Sequence, residues 1–378
     1  GLVGIRLIKS FVRGDYEEMR FEKRNQQLKE ANLTAMKTML LYTPLMTLAL
    51  NITTVVVVWS GGNMIVAGNM QVGDLTAFTN YIVQIMSSLT MLSIAFLNWA
   101  RAIASFRRVG EVLDEKIDLT DENAKHKDRA VCEGSVEFQN VSFRYYKNSP
   151  EWVIENISFK LEAGKTLGII GPTGSGKSTL VSMIPRLYDT DEGTVLVDGI
   201  NVRDYGLKPL REGIGMVLQN NTLFSGSITE NLKWGDEHAD EKAVRKAAQN
   251  AQAAGFIDSF KDGYRTRLEQ SGNNVSGGQK QRLCIARALL KCPKILILDD
   301  STSAVDTATE RAIREALHSE YKDMTKIIIA QRIRSVMDAD EILVLDNGKT
   351  AGFGTHEQLL ADCPVYREIY DVQNGREE

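Results

Sequence analysis

The chain has 378 residues, enough for two domains, with a formal net charge of -4 and a hydrophobic content of 43%. That balance lacks the basic field that a nucleic-acid-binding protein presents. The four cysteines, Cys132, Cys284, Cys292 and Cys363, show no CxxC spacing, which argues against a metal site or disulfide framework and fits a reducing cytosol.

Up to about Lys37 the chain reads as a polar cytosolic helix, with Ile5, Ile8 and Val12 at helical spacing and basic residues between them. The stretch has no signal-peptide pattern, and its periodicity is already running at Gly1, so further sequence is expected upstream. From Thr38 to Gly73 no residue is charged, and none is charged from Leu75 to Ala100; Asp74 alone separates the two runs. A membrane span needs about 20 predominantly apolar residues, so spans are predicted over about 38–60 and 75–100. The alternative is a pair of buried core helices, which at that length usually carry a polar face.

Arg6, Lys9, Arg13, Arg20, Lys23, Arg24, Lys29 and Lys37 precede the first run, and Arg101, Arg107 and Arg108 follow the second. The turn beginning Ser60-Gly61-Gly62-Asn63 has no Lys or Arg. This asymmetry predicts both ends in the cytoplasm and the turn outside. Tyr42, Trp59 and Trp99 lie near span ends, where amphipathic rings settle, and Pro44 is expected to kink the first span. Asn80, Gln84, Ser87, Met91, Ile94 and Asn98 share one face of the second span. That face either hydrogen-bonds another helix or lines a cavity. The second helix is expected to end near Leu113, followed by a charged linker over 114–134. From Ser135 on, strand-like and helical segments alternate in an α/β pattern that occupies 135–378.

Gly171-Pro172-Thr173-Gly174-Ser175-Gly176-Lys177-Ser178 fits G-x-x-x-x-G-K-[ST], between the strand-like Leu167-Gly168-Ile169-Ile170 and the helical Leu180-Val181-Ser182-Met183. Glycines there let backbone N–H groups close around phosphates. Lys177 is placed to reach the β- and γ-phosphates, and Ser178 to hold Mg²⁺. A second apolar run, Ile295-Leu296-Ile297-Leu298, ends in Asp299-Asp300, and Asp299 suits the Mg²⁺ shell.

Ser276-Gly277-Gly278-Gln279 decides between the families that use such a loop. Ser276 is expected as an N-cap, two glycines permit close backbone approach, and a helix to about Leu290 aims its positive end at an anion. With the phosphate loop and the acidic strand, this resembles the signature of ATP-binding cassette (ABC) proteins, and the resemblance covers essentially the whole chain. It implies that the anion is the γ-phosphate of an ATP held by a second subunit, so that two Mg-ATP are sandwiched head to tail. It implies that Tyr145, or less well Tyr146, stacks on adenine, and that Thr179 belongs to the ATP site. Gln219 matches the Mg²⁺-sensing glutamine that links to the membrane helices. Asp306, in Ser303-Ala304-Val305-Asp306, matches the loop that crosses the dimer interface. Gly4-Ile5-Arg6-Leu7-Ile8-Lys9-Ser10-Phe11 resembles the last cytosolic loop of an ABC exporter, which makes the two spans the last two of six. The fold implied is an all-α transmembrane hairpin followed by an α/β P-loop ABC ATPase domain, with a helical subdomain over about 220–292. Such a protein is multi-pass in the cell membrane, with its nucleotide-binding domain in the cytoplasm.

Two positions depart from the family pattern. Asp300 stands where active cassettes carry the Glu that polarises the attacking water, and Gln331, in Ile329-Ala330-Gln331-Arg332, stands where they carry a His that contacts the γ-phosphate. The Asp carboxylate is one methylene shorter, and misplacement by roughly 1 Å can cost about 100-fold. Gln donates a hydrogen bond but cannot become cationic. Val275 replaces the usual Leu at the start of the signature, a mild change. The pairing resembles the less active half of heterodimeric bacterial multidrug-type ABC exporters, whose partner half keeps Glu and His. A slow homodimer, a regulatory ABC subunit without a transport cycle, and a soluble ABC ATPase of DNA repair or translation are the other readings. The uncharged hairpin argues against the last. Exporters of drugs, lipids and peptides share these cassettes, so the cargo is expected only to be hydrophobic or amphipathic.

Overall fold

A computed structural model describes residues 4–300 and 305–375; Ser301 to Ala304 and the side chains of Tyr42 and Ile94, among others, lie outside the described residues. The chain forms two compact units, Gly1–Lys116 and Ile117–Glu378.

The first unit is helical. Short α1 (Ile5–Ser10) leads into α2 (Gly14–Val66), and α3 (Val72–Leu113) returns beside it. The predicted cytosolic helix and first span are one continuous helix of 53 residues, and it runs unbroken across Pro44. Asp15 and Glu17 lie in its first turn, where negative charge offsets the helix dipole. Asp74, the one charge between the apolar runs, is used locally. Its carboxylate accepts the backbone N–H of Gln71 at 3.1 Å, at the start of α3.

The two long helices meet along a seam of half-buried residues. Met46, Leu50, Thr54, Val57 and Ile65 recur at spacings of three, four or eight on α2, and Leu75, Thr79, Ile82, Met86 and Thr90 do so on α3. Gly61 is buried in that seam; a Cβ there would lie 2.4 Å from Leu75 Cδ1, so a larger residue requires the Leu75 side chain to shift. Thr53, Thr54, Thr76, Thr79, Ser87, Ser88 and Thr90 each return their hydroxyl to the carbonyl four residues earlier. Polar groups bonded in this way need no water, which is what a lipid environment demands.

Pro44–Val66 is the one stretch among the described residues that is long and apolar enough to span a membrane by itself, and 6% of its apolar window is buried. That exposure opposes the core-helix alternative. Part of the uncharged run 75–100, at positions 93, 94, 97 and 100, has side chains outside the described residues. Asn80, Gln84, Ser87, Met91 and Asn98 are exposed and lie off the seam, so bonding to α2 is not their role.

The second unit starts with an irregular segment that is pinned rather than loose. The Asp198 carboxylate accepts four backbone N–H groups, from Cys132, Glu133, Gly134 and Ser135, at 2.7–3.1 Å. Asp121 accepts the N–H of Leu207 at 3.1 Å.

Among the described residues twelve strands follow: β1 (Val136–Phe143), β2 (Ile154–Leu161), β3 (Thr166–Ile170), β4 (Glu192–Val197), β5 (Ile200–Asn201), β6 (Ile214–Val217), β7 (Gly226–Ser227), β8 (Arg267–Leu268), β9 (Ile295–Asp299), β10 (Thr325–Ile329), β11 (Glu341–Asp346) and β12 (Lys349–Gly354). An antiparallel sheet has the order β2-β1-β4-β5. The central sheet has the order β12-β11-β3-β10-β9-β6, parallel except at β12. All five residues of β9 are buried, as expected for a parallel strand covered on both faces.

The helices of this unit are α4 (Lys177–Ser182), α5 (Leu207–Glu212), α6 (Ile228–Leu232), α7 (Glu241–Asn250), α8 (Ala254–Ser259), α9 (Gly277–Leu290), α10 (Thr307–Glu320), α11 (His356–Asp362) and α12 (Pro364–Asn374). The helices α6 to α9 lie between β6 and β9 in the chain, and Leu223, Ile228, Leu232, Val244, Ile257, Leu283 and Leu289 of this stretch share one core with Leu296 and Leu298 of β9 and Ile313 and Leu317 of α10.

Register decides what meets at the end of the central sheet. Asp299 on β9 pairs with Ile329 on β10, and Ile329 pairs with Ile169 on β3. The residues just past these three strands are Asp300, Gln331 and the glycine loop. Crevices at the carboxyl ends of parallel strands are where α/β sheets bind ligands.

Candidate nucleotide-binding site

The loop after β3 has a shape only glycine permits. Gly171 has φ 155°, and a Cβ there would lie 2.0 Å from the Leu345 carbonyl oxygen. Gly176, at φ 89°, caps α4, and its Cβ would collide with Ile154 and Val153. Pro172, Thr173 and Gly174 are exposed at the rim, whereas Ser175 and Thr179 are buried beneath them. Lys177 curls over the loop; its Nζ donates to the carbonyls of Gly171 (2.8 Å) and Pro172 (2.7 Å). Burial pushes its pKa down, and the carboxylates of Asp299 and Asp300 pull the other way.

Tyr145 borders this loop. Its hydroxyl lies 2.9 Å from Thr179 Oγ1, and its ring meets Phe143 and Tyr188 edge-on at 5.0 and 5.2 Å. It is 49% exposed, so one face is open, while Tyr146 is 79% exposed. The bond to Thr179 ties Tyr145, and not its neighbour, to the phosphate loop.

Ser178 Oγ donates to Asp299 Oδ1 at 3.0 Å. Burial raises the Asp299 pKa most, the Ser178 bond lowers it, and Asp300 raises it again. Among the described residues no group of three His, Cys, Asp or Glu could hold a metal. The Ser178 hydroxyl and Asp299 carboxylate are instead hard oxygen donors of the kind that share Mg²⁺ with phosphates and waters.

The two departures from the family pattern touch each other. Gln331 Nε2 donates to Asp300 Oδ2 at 2.7 Å. The Gln219 side chain, from the exposed loop after β6, also hydrogen-bonds Asp300. Burial raises the Asp300 pKa, and the bonds from both glutamines and the Lys177 charge oppose the rise. Asp300 has φ 46°, and its N–H donates to the Ile329 carbonyl at 3.1 Å, so backbone and side chain are both fixed.

Ser276 caps α9 in a reciprocal box. Its hydroxyl accepts the Gln279 N–H at 3.3 Å, and Gln279 Oε1 accepts the Ser276 N–H at 2.9 Å. Ser276 and Gly277 are exposed and Gly278 is half-buried. Among the described residues these four make no hydrogen bond to the phosphate loop of their own chain. Asp306 caps α10, accepting the Thr309 N–H at 3.0 Å and the Thr309 hydroxyl at 2.7 Å. The Thr309 backbone bond is the main cause that lowers its pKa. Ser303 and Ala304, which precede it, lie outside the described residues.

A family model described as "ABC transporter" matches residues 154–303, and one described as "ABC transporter transmembrane region" matches residues 2–89. The chain belongs to the ABC transporters. Its fold is a helical transmembrane region followed by an α/β ABC ATPase domain, membrane-embedded with the nucleotide-binding domain in the cytoplasm. It is 42% identical over 376 residues to the ABC transporter ATP-binding protein YfiB of Bacillus subtilis, covering 100% of this chain and 65% of that protein. It is 39% identical over 377 residues to YgaD of the same organism, provisionally named a multidrug export ATP-binding/permease protein, covering 98% of this chain and 64% of that protein. The structure of a bacterial Atm1-family ABC exporter with ATP bound superposes with a TM-score of 0.89 at 31% identity, over 98% of this chain and 65% of that one. The chain therefore spans just under two thirds of the length of these relatives.

This ABC transporter chain brings Tyr145, the phosphate loop, Gln219, Asp299, Asp300 and Gln331 to one end of one sheet. It leaves the signature at the start of α9 and Asp306 at the cap of α10. The Thr179–Tyr145 and Gln331–Asp300 bonds are not legible in the sequence. The second joins residues 31 apart, and the parallel pairing of β9 with β10 is the signal that could have found it.

Proposed function

We propose that this chain is the degenerate-site half of a heterodimeric ABC exporter, moving a hydrophobic or amphipathic substrate out of the cytoplasm. In this reading Tyr145 stacks on adenine, residues 171–179 cradle the phosphates, and Lys177 reaches the β- and γ-phosphates. Ser178 and Asp299 share Mg²⁺, whose charge offsets that of the phosphates, and Gln219 and Asp306 face the interface. The multidrug name of YgaD accords with a hydrophobic cargo.

The bond between Gln331 and Asp300 carries the degenerate assignment. The Gln331 amide, 2.7 Å away, occupies Asp300 Oδ2 and competes with a water for that oxygen. A hydrogen bond to a charged group contributes about 1.5–3 kcal/mol, so turning the carboxylate away from Gln331 costs up to about 150-fold in rate, in addition to the penalty of the shorter side chain. ATP binding does not require Asp300, and Gln331 keeps a second N–H for the γ-phosphate, so binding is spared. The signature, free of its own phosphate loop, completes the site of a partner that carries the family's Glu and His.

The reading predicts that this chain alone binds Mg-ATP tightly and turns it over slowly. Equilibrium binding and steady-state hydrolysis by the purified chain, with and without the partner half, measure both. Rapid multiple turnover by this chain alone contradicts the assignment.

A further inference from the structure

The last turn of α12 holds the loop that carries Gln331. Gln373 Nε2 donates to the Gln331 carbonyl at 2.7 Å, and Gln373 Oε1 accepts the Ile333 N–H at 2.8 Å. One side-chain amide thus grips the backbone on both sides of Arg332. Its orientation is fixed by chemistry, because a carbonyl requires the NH₂ end and an N–H requires the oxygen. Arg334 Nη2 donates to the neighbouring Asn374 Oδ1 at 3.4 Å. Gln373 also lines, with Asp300 and Gln331, a cavity of about 640 Å³.

The helix that presents Gln373 has a firm base. Tyr366, fully buried, packs in one cluster with Ile170, Ala330, Ile333 and Val336. Ile170 is the last residue before the phosphate loop, and Ala330 directly precedes Gln331, with its N–H on the Ile169 carbonyl at 3.2 Å. The backbone of Gln331 is therefore held on one side by β3 and on the other by Gln373. Its side chain has a second N–H on Nε2 beyond the one given to Asp300.

We infer that Gln373 is a positioning residue for the γ-phosphate, acting through the backbone of Gln331. The inference rests on the reading of Gln331 as a γ-phosphate contact. Gln373 itself is exposed and touches no nucleotide in this scheme. Without its two bonds the loop is free to shift, and displacement by a fraction of the roughly 1 Å that costs 100-fold is enough to weaken one polar contact. ADP has no γ-phosphate and is insensitive to it.

The test is photolabelling of this chain by 8-azido-ATP in the full transporter, competed by ATP and separately by ADP. Gln373→Ala and Gln373→Met, which keeps the bulk but loses both bonds, are each expected to lower the preference for ATP over ADP about tenfold, with competition by ADP unchanged. Equal weakening of both nucleotides indicates a merely structural role and overturns the inference, as does an unchanged preference. Gln331→Ala separates the two levels. If it lowers the preference while the Gln373 variants do not, the inference falls and the reading of Gln331 stands. If neither does, the reading of Gln331 falls and the inference falls with it.

Discussion

Asp300→Glu combined with Gln331→His is expected to raise hydrolysis at this chain's own site by about 100-fold, the cost attached to roughly 1 Å of misplacement. Either change alone should give much less. Asp300→Glu lengthens the carboxylate, but Gln331 still competes for it. Gln331→His removes the amide that now lies 2.7 Å from Asp300 but leaves that carboxylate short. Because the two residues bond each other and face one water, their effects should couple rather than add. Single-turnover hydrolysis by the two single variants and the double variant measures the coupling. Equal rates for all three count against the account.

Within the assembled transporter, Ser276→Arg and Gly277→Asp are expected to abolish most ATPase activity, with losses of about 100-fold or more. Both residues are exposed at the N-terminus of a 14-residue helix, where dipole and free N–H groups attract an anion. A guanidinium's bulk or a carboxylate's charge blocks that position on the partner's nucleotide. Asp300→Asn should change the same rate by less than about twofold, because in the proposed asymmetric arrangement its own site turns over little. In an ordinary cassette the loss of such an acid–base group costs about 10²–10⁴-fold. Steady-state ATPase of the complex compares the three directly. An Asp300→Asn variant as damaged as the signature variants makes Asp300 a working base and ends the asymmetric assignment.

Much of the site could be read in the sequence because local patterns specify it. The glycine loop requires positive φ at Gly174 and Gly176. An apolar run ending in Asp299 reads as a buried parallel strand, and Ser276 with Gln279 spells a capping box. What escaped depends on contacts distant in the chain. Nothing near Asp198 announces that its carboxylate gathers four N–H groups from residues more than sixty positions earlier. Gln373 and Gln331 are 42 residues apart and meet only because α12 packs on β3 and the loop after β10.

The membrane region shows the opposite imbalance. Absence of charge located both long helices, but it did not reveal that the first continues without a break from Gly14 to Val66. Its polar N-terminal half and apolar C-terminal half look like separate elements, because periodicity follows the environment rather than the backbone. The kink expected at Pro44 did not end the helix. Asn80, Gln84 and Ser87 turn away from α2, which leaves that face for a cavity or for a helix other than α2.

The most direct test of the central claim is vanadate-dependent trapping of 8-azido-nucleotide in the complete transporter. This chain and its partner are separated afterwards and the label on each is counted. Without vanadate, at a temperature that prevents turnover, both chains should be labelled, because the phosphate loop and Tyr145 here are complete. After turnover with vanadate, the account predicts a trapped label on the partner's Walker site and little more than background on this chain. Trapping on this chain equal to that on the partner means that Asp300, bonded to Gln331 and Gln219, still supports hydrolysis, and it contradicts the account.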